Sequence, residues 1–177
     1  MISSRVIMKP ILKKIRADYP NVEFVEGSAF YWSPATRQIF YAYTEKKTDI
    51  NSATHAILHE LSHAILGHST YTTDFELVQM EAAAWEHAKN LATRYNLTIS
   101  ENHIQDCLDS YRDWLYKRSI CPTCSTKSIQ CNEKNSYQCF NCRTHWKVTS
   151  SRFCRPYRHF RQKERSLVVF DTTSDLL

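Results

Sequence analysis

The run ATHAILHELSHAILGHS, residues 53 to 69, places four of the chain's eight histidines in an otherwise apolar segment, with Glu60 beside the second of them. A buried helix avoids such side chains unless something binds them. Helical residues four apart share a face, so His59 and His63 can present two imidazoles to one ion. Glu60, one step round, can sit over the open side of that ion and take a proton from water, the logic of the HExxH pattern. At this composition about 0.02 HExxH matches are expected by chance, so coincidence explains the run poorly. The longer HExxHxxGxxH pattern needs glycine at 66 and histidine at 69, where the chain has Leu66 and Ser69. His68, five after His63, points away from the pair on a straight helix. His55 continues the stripe, but three histidines over more than two turns cannot converge on one ion. Both read as supporting or surface residues.

A catalytic zinc site also needs a third protein ligand and a position left for water. The following helix, DFELVQMEAAAWEHAKNLATRY, has an apolar face at Leu77/Val78, Ala84/Trp85, Ala88, Leu91/Ala92 and Tyr95, with Glu81 inside it. A carboxylate on a buried face is costly unless it is paired or bound to a metal. Glu86 falls on the polar side, and Glu76 lies near the helix start, where the dipole favours it. Glu81 is thus the candidate third ligand, and Ala82, Ala83 and Ala84 offer close approach between the two helices.

The rest of the first part predicts a helix over 4–18, ending at Tyr19-Pro20 because the residue before proline resists the helical region. VEFVEG reads as a strand, and AFYWSPATRQIFYAY as a hairpin broken at Ser33–Thr36. Asp49 or Asn51 can cap the histidine helix, Asp74 the next, and Ser100 a further one running to about Lys117. No internal repeat stands out. Two glycines, 27 and 67, exclude a glycine-rich phosphate loop.

HELSHAILGH followed by MEAAAWEHA resembles the gluzincin metallopeptidases, and most closely the ImmA/IrrE family, over roughly residues 1 to 117. The resemblance implies a zincin-like fold, zinc held by His59, His63 and Glu81, Glu60 as catalytic base, and a regulatory protein as substrate. The family's asparagine or aspartate after the alanine three beyond the glutamate is Trp85 here, so the contact it provides must come from elsewhere. Tyr71, His87 and Tyr95 are candidate donors to the oxyanion. A SprT-like protease of DNA-bound proteins also pairs HExxH with a zinc ribbon but uses a histidine as third ligand, for which His87 is the one placed to serve. A non-catalytic nucleic-acid-binding zinc protein is the other alternative.

Cys121-Pro-Thr-Cys124 and Cys139-Phe-Asn-Cys142 stand 14 residues apart. Two such turns joined by a hairpin close a tetrahedral four-thiolate zinc site, a zinc ribbon, whose role is to fold a segment too small for its own core. Cys131 is a spare thiol between the pairs, and Cys107 and Cys154 read as ordinary cysteines. Beyond the ribbon, Arg143, Lys147, Arg152, Arg155, Arg158 and Arg161 interleave with Trp146, Phe153, Tyr157 and Phe160, cations for phosphates and rings for bases. Residues 1–114 carry 11 Lys/Arg against 14 Asp/Glu and residues 115–177 carry 12 against 4, an asymmetry that points to two jobs.

The expectation is an α+β chain: a metallopeptidase domain over 1–117 (N-terminal helix, small β-sheet, HExxH helix and two further helices), a zinc ribbon over 118–150 and a basic tail over 151–177. It would bind two zinc ions, act on a protein, and contact DNA through ribbon and tail. Charges through the first 18 residues, and an odd count of seven cysteines without an export signal, point to a cytoplasmic protein with no membrane contact.

Overall fold

The computed structural model describes residues 4–42, 50–150 and 159–161, and for 4–9, 50 and 159–161 the backbone alone. The chain divides into two compact units, 1–116 and 117–177. Among the described residues the architecture is α+β, with four helices and two three-stranded sheets, and no helix is long and apolar enough to cross a membrane.

The first unit opens with helix α1 (Ser4–Asp18), at the span its apolar periodicity predicts. Strands β1 (Glu23–Gly27), β2 (Tyr31–Ser33) and β3 (Gln38–Ala42) follow. β2 and β3 form the expected hairpin, turning through Arg37 in the left-handed region with φ 56°. β1 then pairs with the far side of β3 in parallel, giving the order β1-β3-β2. Among the described strands β3 is therefore central, and β2 has one edge that none of them pairs.

Helix α2 (Ile50–Ile65) carries the histidine run and packs chiefly on α3 (Asp74–Thr93). Ile57, Leu58 and Leu61 of α2 bury against Leu12 and Ile15 of α1, Phe24 and Ile39 of the sheet, and Leu91 of α3. Each such side chain contributes about 1.5–3 kcal/mol by leaving water, so α2 is fixed on several sides. The close approach of α3 uses Ala84, Ala88 and Ala92, all fully buried, one turn apart. Ala82 and Ala83, expected at that contact, are exposed, because the helix places only every third or fourth residue inward.

The capping residue of α3 is Thr73, whose Oγ1 accepts the Glu76 N–H at 3.1 Å. Asp74, expected in that role, is the first helical residue and is buried. Helix α4 (Glu101–Ser119) begins at Ser100, whose hydroxyl accepts the His103 N–H at 3.3 Å. Asp49 lies outside the described residues, and Asn51 is inside the first turn of α2.

The second unit takes in the last turn of α4 and strands β4 (Ser136–Gln138), β5 (His145–Lys147) and β6 (His159–Arg161), in the order β4-β5-β6, antiparallel throughout. β6 falls in the stretch read from sequence as a tail. Tyr137 and Trp146 stack across β4 and β5 with centroids 5.4 Å apart. Arg118 is buried beneath them: Nη2 donates to Asn135 Oδ1 at 2.5 Å, Nη1 to the Thr149 carbonyl, and its own carbonyl accepts Trp146 Nε1 at 3.0 Å. Among the described residues the apolar core here is Tyr137, Trp146 and Val148 with Cys121, Cys139 and the partly buried Cys124.

Candidate active site and metal centres

On α2, His59 and His63 stand one turn apart with their rings edge to face, centroids 4.6 Å apart. Glu81, from the buried face of α3, comes between them. The separations are 3.1 Å from His59 Nε2 to Glu81 Oε2, 3.6 Å from His63 Nε2 to the same oxygen, and 3.1 Å between the two Nε2 atoms. A triangle of these sides has a circumradius of about 1.9 Å, which is what three ligands about 2.0–2.1 Å from a tetrahedral centre require. Burial pushes the Glu81 carboxyl up, but hydrogen bonds and positive charge from the two histidines outweigh it and bring it to about 2. Two imidazoles and an ionised carboxylate, converging and buried, are a donor set suited to zinc.

Glu60 is half-buried beside this cluster. Its Oε2 accepts the backbone N–H of Trp32 at 2.8 Å, from the edge of β2 that no described strand covers. Burial holds the Glu60 carboxyl above the usual carboxylate range, with His59, His63 and the Trp32 N–H pulling the other way. Trp32 also donates from its indole Nε1 to the His68 carbonyl at 3.0 Å. Sequence reasoning missed Trp32, since a main-chain donor has no residue signature.

His68 is placed by the end of α2. Gly67 adopts φ +69°, the Gly67 N–H donates to the Ala64 carbonyl at 3.3 Å, and the His68 N–H to the His63 carbonyl at 3.0 Å. This is the Schellman termination, which reverses the chain at a left-handed residue. The reversal folds the His68 ring back, and its Nδ1 meets His63 Nδ1 at 2.9 Å. A straight-helix projection turned His68 away, and the turn corrects it. Nothing lies within 4 Å of a Cβ placed on Gly67, so φ alone demands glycine. Gly67→Ala is therefore expected to cost about 1–2 kcal/mol, the penalty for an L side chain in the left-handed region, seen as a lower denaturant midpoint, while Gly67→Asn recovers part of it.

The remaining candidates lie elsewhere. His55 turns to His103 of α4, ring centroids 5.1 Å apart. His87 Nδ1 is 3.0 Å from Ser62 Oγ, whose hydroxyl donates to the Leu58 carbonyl. The Tyr95 hydroxyl donates to Asp18 at 2.9 Å, and burial followed by that carboxylate raises its pKa. Tyr71 lies in the loop between α2 and α3, and Glu86 is exposed on α3.

In the second unit Cys121, Cys124, Cys139 and Cys142 converge. Cys121 Sγ is 3.6 Å from Cys142 Sγ and Cys124 Sγ 3.5 Å from Cys139 Sγ. These are far beyond a disulfide bond and near the edge of about 3.8 Å of a tetrahedron of sulfurs around zinc. The two turns share the pattern Cys-x-x-Cys-x-Thr, a short repeat that the sequence reading passed over. In each, the residue after the second cysteine is left-handed (Ser125 φ 59°, Arg143 φ 63°) and its N–H donates to the first cysteine's carbonyl at 3.0 Å. In each, the threonine hydroxyl sits on the second sulfur, Thr126 3.3 Å from Cys124 and Thr144 3.1 Å from Cys142. That contact with Thr126 is the main reason the Cys124 thiol is held down to about 5, whereas burial lifts Cys121 to about 11. Cys131 is half-buried and outside the four, and Cys107 lies on α4 with its sulfur 3.9 Å from His103 Nε2. Arg143 and Lys147 are exposed, Lys147 lying 3.7 Å from Glu133. Arg152, Cys154, Arg155 and Arg158 fall outside the described residues, and Arg161 is in β6.

Comparison with protein families, with curated proteins and with solved structures finds no match to this chain.

Proposed function

We propose that the chain is a zinc-dependent endopeptidase of gluzincin type with a zincin-like first unit, its ribbon positioning it on a protein substrate or on DNA. The observation that carries this is the convergence of His59, His63 and Glu81 beside a Glu60 held by the β2 edge. His59, His63 and Glu81 hold the ion. A zinc ion there supplies Lewis acidity, which polarises a carbonyl and acidifies water. Glu60 accepts the proton as water attacks the peptide carbonyl and returns it to the leaving amine. The Trp32 N–H keeps the Glu60 carboxylate turned towards the cluster. His68 orients the His63 ring through their Nδ1 contact. Cys121, Cys124, Cys139 and Cys142 hold a second zinc ion that folds the ribbon and takes no part in the chemistry.

Metal content of the full chain tests the ligand assignment. Two zinc ions per chain are expected. Glu81→Ala should lower affinity at the His59 site by more than the about 10–100-fold that changes to outer hydrogen-bond partners cost. His87→Ala should leave that affinity unchanged, since His87 is engaged with Ser62. The reverse pattern would favour a SprT-like ligand set.

A further inference from the structure

The ligand cluster uses one nitrogen of each histidine, and the other nitrogen sets the two apart. His63 Nδ1 has His68 as its partner at 2.9 Å. His59 Nδ1 is buried and has no hydrogen-bond partner among the described residues. A metal-bound imidazole ordinarily passes its second N–H to a carboxylate, carbonyl or water, which fixes the plane of the ring and aims the ligating nitrogen. For His59 that plane must be set in another way.

The indole of Trp85 lies flat against it, ring centroids 4.2 Å apart and planes 23° from parallel. Trp85 is itself confined. It is buried in the core of the first unit, and His103 closes on it edge to face at 5.4 Å and 85°. It also follows Glu81 by four residues on α3, so the helical face that delivers the carboxylate delivers the indole one turn on.

We propose that Trp85 is a positioning residue for the metal ion, its stack on the His59 ring setting the orientation that a hydrogen bond at Nδ1 would otherwise provide. The proposal rests on the reading of His59, His63 and Glu81 as metal ligands. Trp85 is not among the converging donors, so its effect on the site passes through the His59 ring. A flat aromatic surface should substitute for the indole, and a flexible aliphatic side chain should not, even where it fills the same space.

The test compares Trp85→Phe, Trp85→Leu and Trp85→Met in the full chain with the ribbon metal in place. Affinity of the His59 site for zinc is read by competition with a chelator too weak to strip four thiolates, and ligand geometry by the visible absorption of the cobalt form. The Phe variant should bind within a few-fold of the wild type with an unchanged cobalt spectrum. The Leu and Met variants should bind about 10–100-fold more weakly, with shifted bands. Thermal midpoints of the metal-free proteins report lost packing separately, and Met carries the comparison if Leu does not fold. Leu and Met variants that bind as Phe does, or a Phe variant as weak as they are, would overturn the proposal. A wild type that binds no metal at this site would overturn both it and the ligand reading. Metal bound as expected without peptide hydrolysis would overturn the peptidase reading alone.

Discussion

Glu60→Gln is expected to lower peptide hydrolysis about 10²–10⁴-fold, the range a positioned general base contributes, while the chain still carries two zinc ions. Glutamine keeps the length and shape of the side chain, and its carbonyl can still accept the Trp32 N–H that holds the carboxylate at 2.8 Å. What it loses is the capacity to take a proton. Since the donors that converge at this site are His59, His63 and Glu81 and Glu60 is not among them, zinc affinity there should change little. Turnover of a peptide library, with zinc measured on the same samples, checks both halves. Hydrolysis at the wild-type rate would mean that the base is another residue or that cleavage is not what this site does.

The other large effect belongs to the second unit. Cys121→Ser should remove one zinc ion and unfold residues 117–150, leaving the His59 site loaded. Structural zinc contributes roughly 10–16 kcal/mol of apparent binding free energy to modules of this kind. The core of Tyr137, Trp146 and Val148 among the described residues is too small to replace that. Buried Arg118 adds to the dependence, because its partners Asn135 and Thr149 are held only while β4 and β5 are in register. The measurements are zinc content, falling to one ion, and proteolysis, which should cut within 117–150 and spare 50–116. Protection of Tyr137 and Trp146 against hydrogen exchange at the wild-type level would contradict it.

What could be read from the sequence was whatever a side chain or a period announces. α1 came from apolar spacing, the convergence of four cysteines from their spacing, and Glu81 from being the one carboxylate on an apolar stripe, a position the structure shows to be buried. What could not be read lives in the backbone or in tertiary pairing. The bond from Trp32 to Glu60 uses a main-chain N–H, which every residue but proline offers. The return of His68 depends on a single left-handed φ at Gly67, and a straight-helix projection has no term for it. The parallel pairing of β1 with β3 skips the strand between them, against the tendency of neighbours in sequence to pair. The Thr73 cap was missed in favour of Asp74 because both residue types cap well, and what separates them is the φ of −117° at Thr73 and the Glu76 N–H its hydroxyl accepts.

Trp32 carries two contacts that differ in how they respond to inherited change. Its indole N–H on the His68 carbonyl disappears with almost any substitution. Its main-chain N–H on Glu60 survives all of them except proline. The orientation of Glu60 is therefore shielded from point variation at its own support, whereas the turn that carries His68, and through it the environment of His63, is open to adjustment at the same codon. Substitution at position 32 can thus retune the surroundings of His63 without first displacing Glu60.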